Sequence, residues 1–288
     1  MASHSRRARA LLLSSVLQTA VTGAVAPAPV TAEGAAGSIS LVPAVVTLEG
    51  AGRQAYTQTL SLTNHTTRTL AFEMMALDVI TREGVRTFVP AGELPGSIAA
   101  TAIFSTPTVS VPPQATVSTD VTLTFPPGTA IRAVAAGFRG LTQVTRADGV
   151  QMTGSLACLI TFSTTGAPEV SGAPISVTPQ SDTSNLTIAQ DLQNTGAEPV
   201  VPRGAVALLD GHGRLVGRLP LESQRLLPGE RLPFVTQFPG RLAPGLYRAV
   251  LSVEYAGRVL TATQDFTVTD PRNDGHRLAA DTQSAGPR

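Results

Sequence analysis

Few residues in this chain stand at spacings that do chemistry. The four His are His4, His65, His212 and His276, and none has a second His or a Cys at metal-ligand spacing. Asp210-Gly211-His212-Gly213 sets an acid near an imidazole but lacks the alternating carboxylates of a Ca²⁺ loop. A tight hairpin joining residues 205–209 to residues 214–217 accounts for it. Cys158 is the single thiol, so an internal disulfide is excluded. In Leu156-Ala157-Cys158-Leu159-Ile160-Thr161-Phe162 it shares a face with Leu156, Ile160 and Phe162, which suits a small core hydrophobe and not a nucleophile. No G-x-S-x-G, P-loop, dinucleotide fingerprint or H-E-x-x-H occurs. No catalytic, cofactor-binding or metal-ligating residue is assigned, and the chain reads as a non-enzyme.

The elements that would position any site are strands. In 288 residues, 42% are hydrophobic and 14% charged, with 26 Gly and 22 Pro. That mixture excludes a long coiled coil and is too apolar for a wholly disordered chain. All 21 basic residues are Arg, balanced by 20 acids to a net +1, so no global field favours nucleic acid. Trp is absent and aromatics are 4%, which argues against stacked-ring platforms for sugars or single strands.

Residues 1–32 read as an export signal. Arg6, Arg7 and Arg9 form a basic start, residues 10–26 an apolar stretch diluted by polar residues, and Val30-Thr31-Ala32 a cleavage site. Cleavage there removes three Arg and no acid, leaving 18 Arg against 20 acids, a net charge of −2. The best later span candidate, residues 129–144, is broken by Arg132 and Arg139, so no stable membrane span is expected after cleavage. The expectation is an exported protein: periplasmic, surface-located or secreted.

From Ile39 onward the dominant period is two. Tyr56-Thr57-Gln58-Thr59-Leu60-Ser61-Leu62-Thr63 alternates, as does the run from Thr116 to Phe125, and β-branched residues fill the polar face. Turn signals fall between the runs at Glu49-Gly50, Asn64-His65, Glu83-Gly84, Pro112-Pro113, Pro126-Pro127-Gly128 and Asp148-Gly149. The second half repeats the order of the first. Strands ending at Asn64 and Asn194 are each followed by a proline turn, Val111-Pro112-Pro113 or Leu227-Pro228-Gly229, and then by Pro127-Gly128 or Pro244-Gly245. This predicts an all-β chain of two consecutive immunoglobulin-like β-sandwiches, residues 38–166 and 173–269, with a disordered tail at 270–288. Tyr247, just after Pro244-Gly245, fits either the tyrosine corner of such folds or an ordinary strand tyrosine.

Two family resemblances follow from these motifs. Ile39-Ser40-Leu41-Val42-Pro43 through Leu48-Glu49-Gly50, with Val109-Ser110-Val111-Pro112-Pro113, resembles the first domain of periplasmic pilus chaperones, which hold subunits through strand addition. Those proteins anchor subunits with an Arg and a Lys; here Val45 stands near the Arg position and the chain has no Lys. Over nearly the whole chain after the leader, Val109-Ser110-Val111-Pro112-Pro113, Gly137-Phe138, Asp210-Gly211 and Pro244-Gly245-Leu246-Tyr247 are similar to the WxL-interacting proteins of bacterial cell surfaces. That resemblance implies an adaptor that engages a surface protein or peptidoglycan; the alternative is a chaperone-like protein for a pilus or other β-rich subunit.

The expected partner surface is residues 87–108, where the first half is longer than the second. Phe88, Val89, Leu94, Ile98, Ile103 and Phe104 are apolar residues in a stretch of weak strand periodicity. Such a loop either presents them to a partner or folds them over one end of the sandwich.

Overall fold

The computed structural model describes residues 30–34, 37–50, 53–142, 144–145, 151–164, 166–179 and 185–269. The expected tail, most of the expected leader and the Asp148-Gly149 turn lie outside them. The proposed cleavage point after Ala32 falls inside the first strand.

The chain is all β, as its periodicity predicts. The first sandwich contains β1 (Val30–Gly34), β2 (Gly37–Val42), β3 (Val45–Glu49), β4 (Ala55–Asn64), β5 (Leu70–Arg82), β6 (Val85–Pro90), β7 (Ile103–Phe104), β8 (Thr108–Val111), β9 (Thr116–Thr124), β10 (Ala133–Gly140) and β13 (Ser155–Ser163). A small hairpin, β11 (Val144–Thr145) with β12 (Gln151–Met152), projects between β10 and β13. The second sandwich contains β14 (Val170–Gly172), β15 (Ser176–Pro179), β16 (Leu186–Asn194), β17 (Arg203–Asp210), β18 (Leu215–Leu221), β19 (Arg231–Phe238), β20 (Gly245–Tyr255) and β21 (Arg258–Val268).

In the first sandwich one sheet has the order β1-β2-β4-β9-β7, and the other β3-β13-β10-β5-β6 with β8 also on β5. Alternation sets the register. Leu60 and Leu62 face inward with Val121 and Leu123. Their outward neighbours meet as hydroxyl pairs: Thr57 with Thr122 (2.9 Å), Ser61 with Ser118 (2.9 Å) and Thr63 with Thr116 (2.8 Å). Each such pair contributes about 0.2–1 kcal/mol, and each buried Leu about 2 kcal/mol, so the inner face dominates. The chain passes from one sheet to the other at the cis Val42–Pro43 bond, after which β3 runs parallel to β13.

In the second sandwich β14, β15 and β19 all pair β16, opposite a sheet of order β18-β17-β20-β21. Tyr247 Oη donates to the Ala243 carbonyl at 2.8 Å, the tie back to the corner that distinguishes a tyrosine corner from an ordinary strand tyrosine. The β17–β18 hairpin is where the sequence places it. The Asp210 carboxylate accepts the N–H groups of His212 and Arg214 and a guanidinium N–H of Arg214, which hold its pKa below the usual carboxylate value.

Residues 87–108 are less loop-like than expected. Their start completes β6 after a two-residue turn in which Glu83 (φ 53°) and Gly84 (φ 82°) both take left-handed conformations. A 3₁₀ turn (Ala99–Thr101) and β7 follow. The anchor is Asp78, fully buried on β5. One of its oxygens accepts Ile98 N–H (3.0 Å) and Ala99 N–H (2.9 Å), and the other accepts the Ser97 hydroxyl (2.5 Å). Three donors explain how a carboxylate stands in the core.

Candidate functional site

The run Ala133-Val134-Ala135-Ala136-Gly137-Phe138 of β10 is buried on both faces. Val134, Ala136 and Phe138 enter the core of the first sandwich. Ala133, Ala135 and Gly137 face outward and form the middle of a shallow floor across the sheet. Register places Met75, Gly137 and Ala157 in one row, and Pro90, Leu77, Ala135, Leu159 and Val45 in the next. A third row joins Phe88, Val79, Ala133, Thr161 and Thr47. Gly137 permits close packing of β10 on β13, since a Cβ there would lie 2.1 Å from the Leu156 carbonyl oxygen.

The second sandwich closes one end of this floor. Leu227 packs on Val79, Ala133 and Ala135. Arg86 Nε and Nη2 each reach a Glu230 oxygen at 2.9 Å, while Glu230 also accepts Leu227 N–H at 2.8 Å. Arg231 N–H donates to the Gly84 carbonyl at 2.9 Å, a main-chain bond between the sandwiches. Beside this pair, Arg225 Nη1 donates to Thr161 Oγ1 at 2.9 Å, and its buried Nε has no acceptor among the described residues. Burial, and then the positive charge of Arg86, lower the Arg225 pKa. Two guanidinium groups, Arg86 and Arg225, thus lie at this end of the floor, and Glu230 pairs with the first.

The third element is an edge. β3 covers the outer edge of β13 only along residues 159–163. Among the described residues, residues 155–158 carry no strand on that side. Leu156 and Cys158 fill the core below, and burial pushes the Cys158 thiol up to about 12, so it is neutral at physiological pH.

The six residues expected at the partner surface separate. Ile98 and Val89 are buried in the first sandwich, and Leu94 and Phe104 pack against its core. Phe88 is 54% exposed, in the third row of the floor, and Ile103 is 69% exposed on the other sheet. Leu77, Ala135, Ala157 and Leu159 were not singled out from sequence. The available signal was the run of small residues in β10, too short to span a membrane yet apolar on both faces.

A cavity of about 860 Å³ lies near the junction, lined by Glu49, Arg53, Phe125, Thr129, Arg132 and Thr164 among others. Within it Arg132 lies over the Phe125 ring and 3.5 Å from Glu198, which also accepts the Thr164 N–H and hydroxyl. Asn64-His65-Thr66 has the spacing of a glycosylation sequon, but Asn64 is fully buried with its amide donating to three carbonyls, so it is closed to glycosylation.

No family model matches the chain, so the WxL-interacting resemblance finds no support there, and no curated protein matches it. Among solved structures it is similar to a chain from the chaperone–tip adhesin complex of CFA/I fimbriae: 10% identity over 80% of this chain and 97% of that one, TM-score 0.39. It is similar also to a chain from the CsuC–CsuE chaperone–tip adhesion subunit complex of Acinetobacter baumannii, at 10% identity, 79% and 97% coverage and TM-score 0.38. A third such structure is the Salmonella enterica SafA pilin in complex with the SafB chaperone, at 10% identity, 83% and 100% coverage and TM-score 0.38.

Proposed function

We propose that this is an exported, non-enzymatic binding protein of the bacterial envelope that captures an extended segment of a β-rich protein partner on its first sandwich. The observation that carries this reading is the half-covered edge of β13. A partner strand laid beside residues 155–158 would continue the row that β3 begins and satisfy main-chain groups the fold leaves open. Its side chains on one face would rest on the half-buried Leu77, Ala157 and Leu159, with Phe88 at the margin. Arg225, half-buried beside Thr161, adds a guanidinium that suits a main-chain carbonyl or a carboxylate of the partner. Strand capture accounts for the uncovered edge beside residues 155–158, which an adaptor role toward the cell wall leaves without a purpose.

The test is capture from the native envelope by the protein and by its Ala157→Arg variant, with chemical crosslinking. Ala157 is half-buried on the outer face, where a long charged side chain can reach water without entering the core. Loss of a protein partner at unchanged melting temperature is the expected result. Undiminished capture by the variant, or sedimentation with purified peptidoglycan in place of a protein, would overturn the reading.

A further inference from the structure

The two sandwiches treat their last strands differently. In the first, β13 is flanked by β3, which arrives after the crossing at Pro43. In the second, β14 and β15 both stay on β16, and neither crosses to β21. The chain before β14 approaches the start of β21, where Arg258 Nη1 donates to the Pro168 carbonyl at 3.4 Å, without adding a strand. β21 pairs β20 along all eleven of its residues, and among the described residues nothing pairs its other edge.

Exposed edges are normally kept short or blunted by proline, a bulge or charge, because open main-chain groups invite another strand. The other strands that end the sheets follow that rule. β1, β3, β6, β7, β14 and β15 have six residues or fewer; β18 contains Pro220 and faces a bulge, and β19 contains Pro233. β21 has eleven residues, no proline and an unbroken register with β20.

We propose that β21 is a self-association edge, at which two copies of the chain pair their β21 strands antiparallel about a two-fold axis at Thr263. The strand is self-complementary in that register. Thr261 stands opposite Asp265 on both sides of the axis, Val259 opposite Thr267, and Arg258 opposite Val268. Its two charges, Arg258 and Asp265, never face a like charge. A Thr–Asp pair across antiparallel strands already occurs in the first sandwich, where Thr59 donates to Asp120 at 2.7 Å. Asp265 accepts Arg248 through both oxygens, at 2.6 and 2.9 Å, and a carboxylate retains room for a further donor. On the inner face Leu260, Ala262 and Phe266 lie partly open at the margin of the second core, and the pairing sets Leu260 opposite Phe266. The four-stranded sheets would join into one of eight strands, a closed two-fold assembly and not a fibre.

Sedimentation of the protein from about 1 μM to about 1 mM should show a reversible monomer–dimer equilibrium. Thr263 is exposed, so Thr263→Glu and Thr263→Arg should each fold normally by circular dichroism while setting like charges face to face at the axis. Each variant alone should dimerise about fivefold more weakly or worse, and a one-to-one mixture of the two should recover the dimer. A monomer across the whole range, a dimer indifferent to both substitutions, or a mixture no better than its components would each overturn the proposal.

Discussion

Asn64 and Asn194 close their respective sandwiches by the same bonds. Asn64 Nδ2 donates to the Arg68, Val111 and Pro112 carbonyls, and Asn194 Nδ2 to the Glu198 and Leu226 carbonyls. Each Oδ1 accepts a main-chain N–H two residues on, from Thr66 or Gly196. Each Asn therefore ties the end of its strand to a proline turn some thirty to fifty residues later, which is why the two motifs recur together in both halves of the sequence.

Replacing either Asn by Ala should cost about 3 kcal/mol, because buried carbonyls lose their donors. Replacement by Asp should cost at least as much, since an acceptor would then face those carbonyls. Urea unfolding of the four variants is the check, and equal sensitivity at both positions is expected.

Asp78 gives a second prediction. Asp78→Ala leaves the buried Ile98 and Ala99 N–H groups unpaired and should cost about 3 kcal/mol. Asp78→Asn keeps one acceptor oxygen but turns an amide toward Ser97 Oγ, which already accepts Gly92 and Ala100 N–H; about 1 kcal/mol is expected. Hydrogen exchange at Ile98 and Ala99 should accelerate in the Ala variant before the rest of the sandwich responds.

These two sites mark what the sequence tells and what it withholds. Period-two alternation is legible wherever one face is wet, as in β4 and β9, and it yields the fold class and the paired halves. It vanishes in β10, where Leu227 and the flanking Leu77 and Leu159 shelter the outer face as the core does the inner. The apolar residues of 87–108 are conspicuous, yet their sorting into core and surface depends on Asp78 upstream, an acid with no visible reason to be buried. The junction joins Arg86 to Glu230 across 144 residues, and no local pattern announces such a pair.

That ion pair is directly testable. Glu230 is almost fully buried whereas the Arg86 side chain is 29% exposed, so solvent screens part of the pair. Glu230→Ala should cost about 2–3 kcal/mol, below the full penalty of orphaning a buried charge. Arg86→Ala leaves the Glu230 carboxylate buried with only the Leu227 N–H as partner, whereas Glu230→Ala leaves a guanidinium that water reaches, so Arg86→Ala should destabilise more, by about 3 kcal/mol or above. Equal losses would show that losing the Leu227 cap costs as much as stranding the carboxylate.

Cys158 predicts an alkaline effect. Burial raises its folded pKa to about 12 from an ordinary value of 9.0, so the unfolded thiol ionises first as pH rises. Its contribution is full below about pH 9 and is lost between there and about pH 12. The melting temperature should fall over that window, and less so in Cys158→Ala. At pH 8 a thiol reagent should leave the folded protein unmodified and label it stoichiometrically once unfolded.

Site-specific photocrosslinking in the native envelope tests strand capture most directly. A photoreactive residue would be placed in turn at Ser155 on the open edge, at Ile103 on the opposite sheet and at Leu246 in the second sandwich, all three exposed. Capture beside β13 predicts a discrete protein adduct from position 155 and none from 103 or 246. Adducts from 103 or 246 with none from 155 would contradict it.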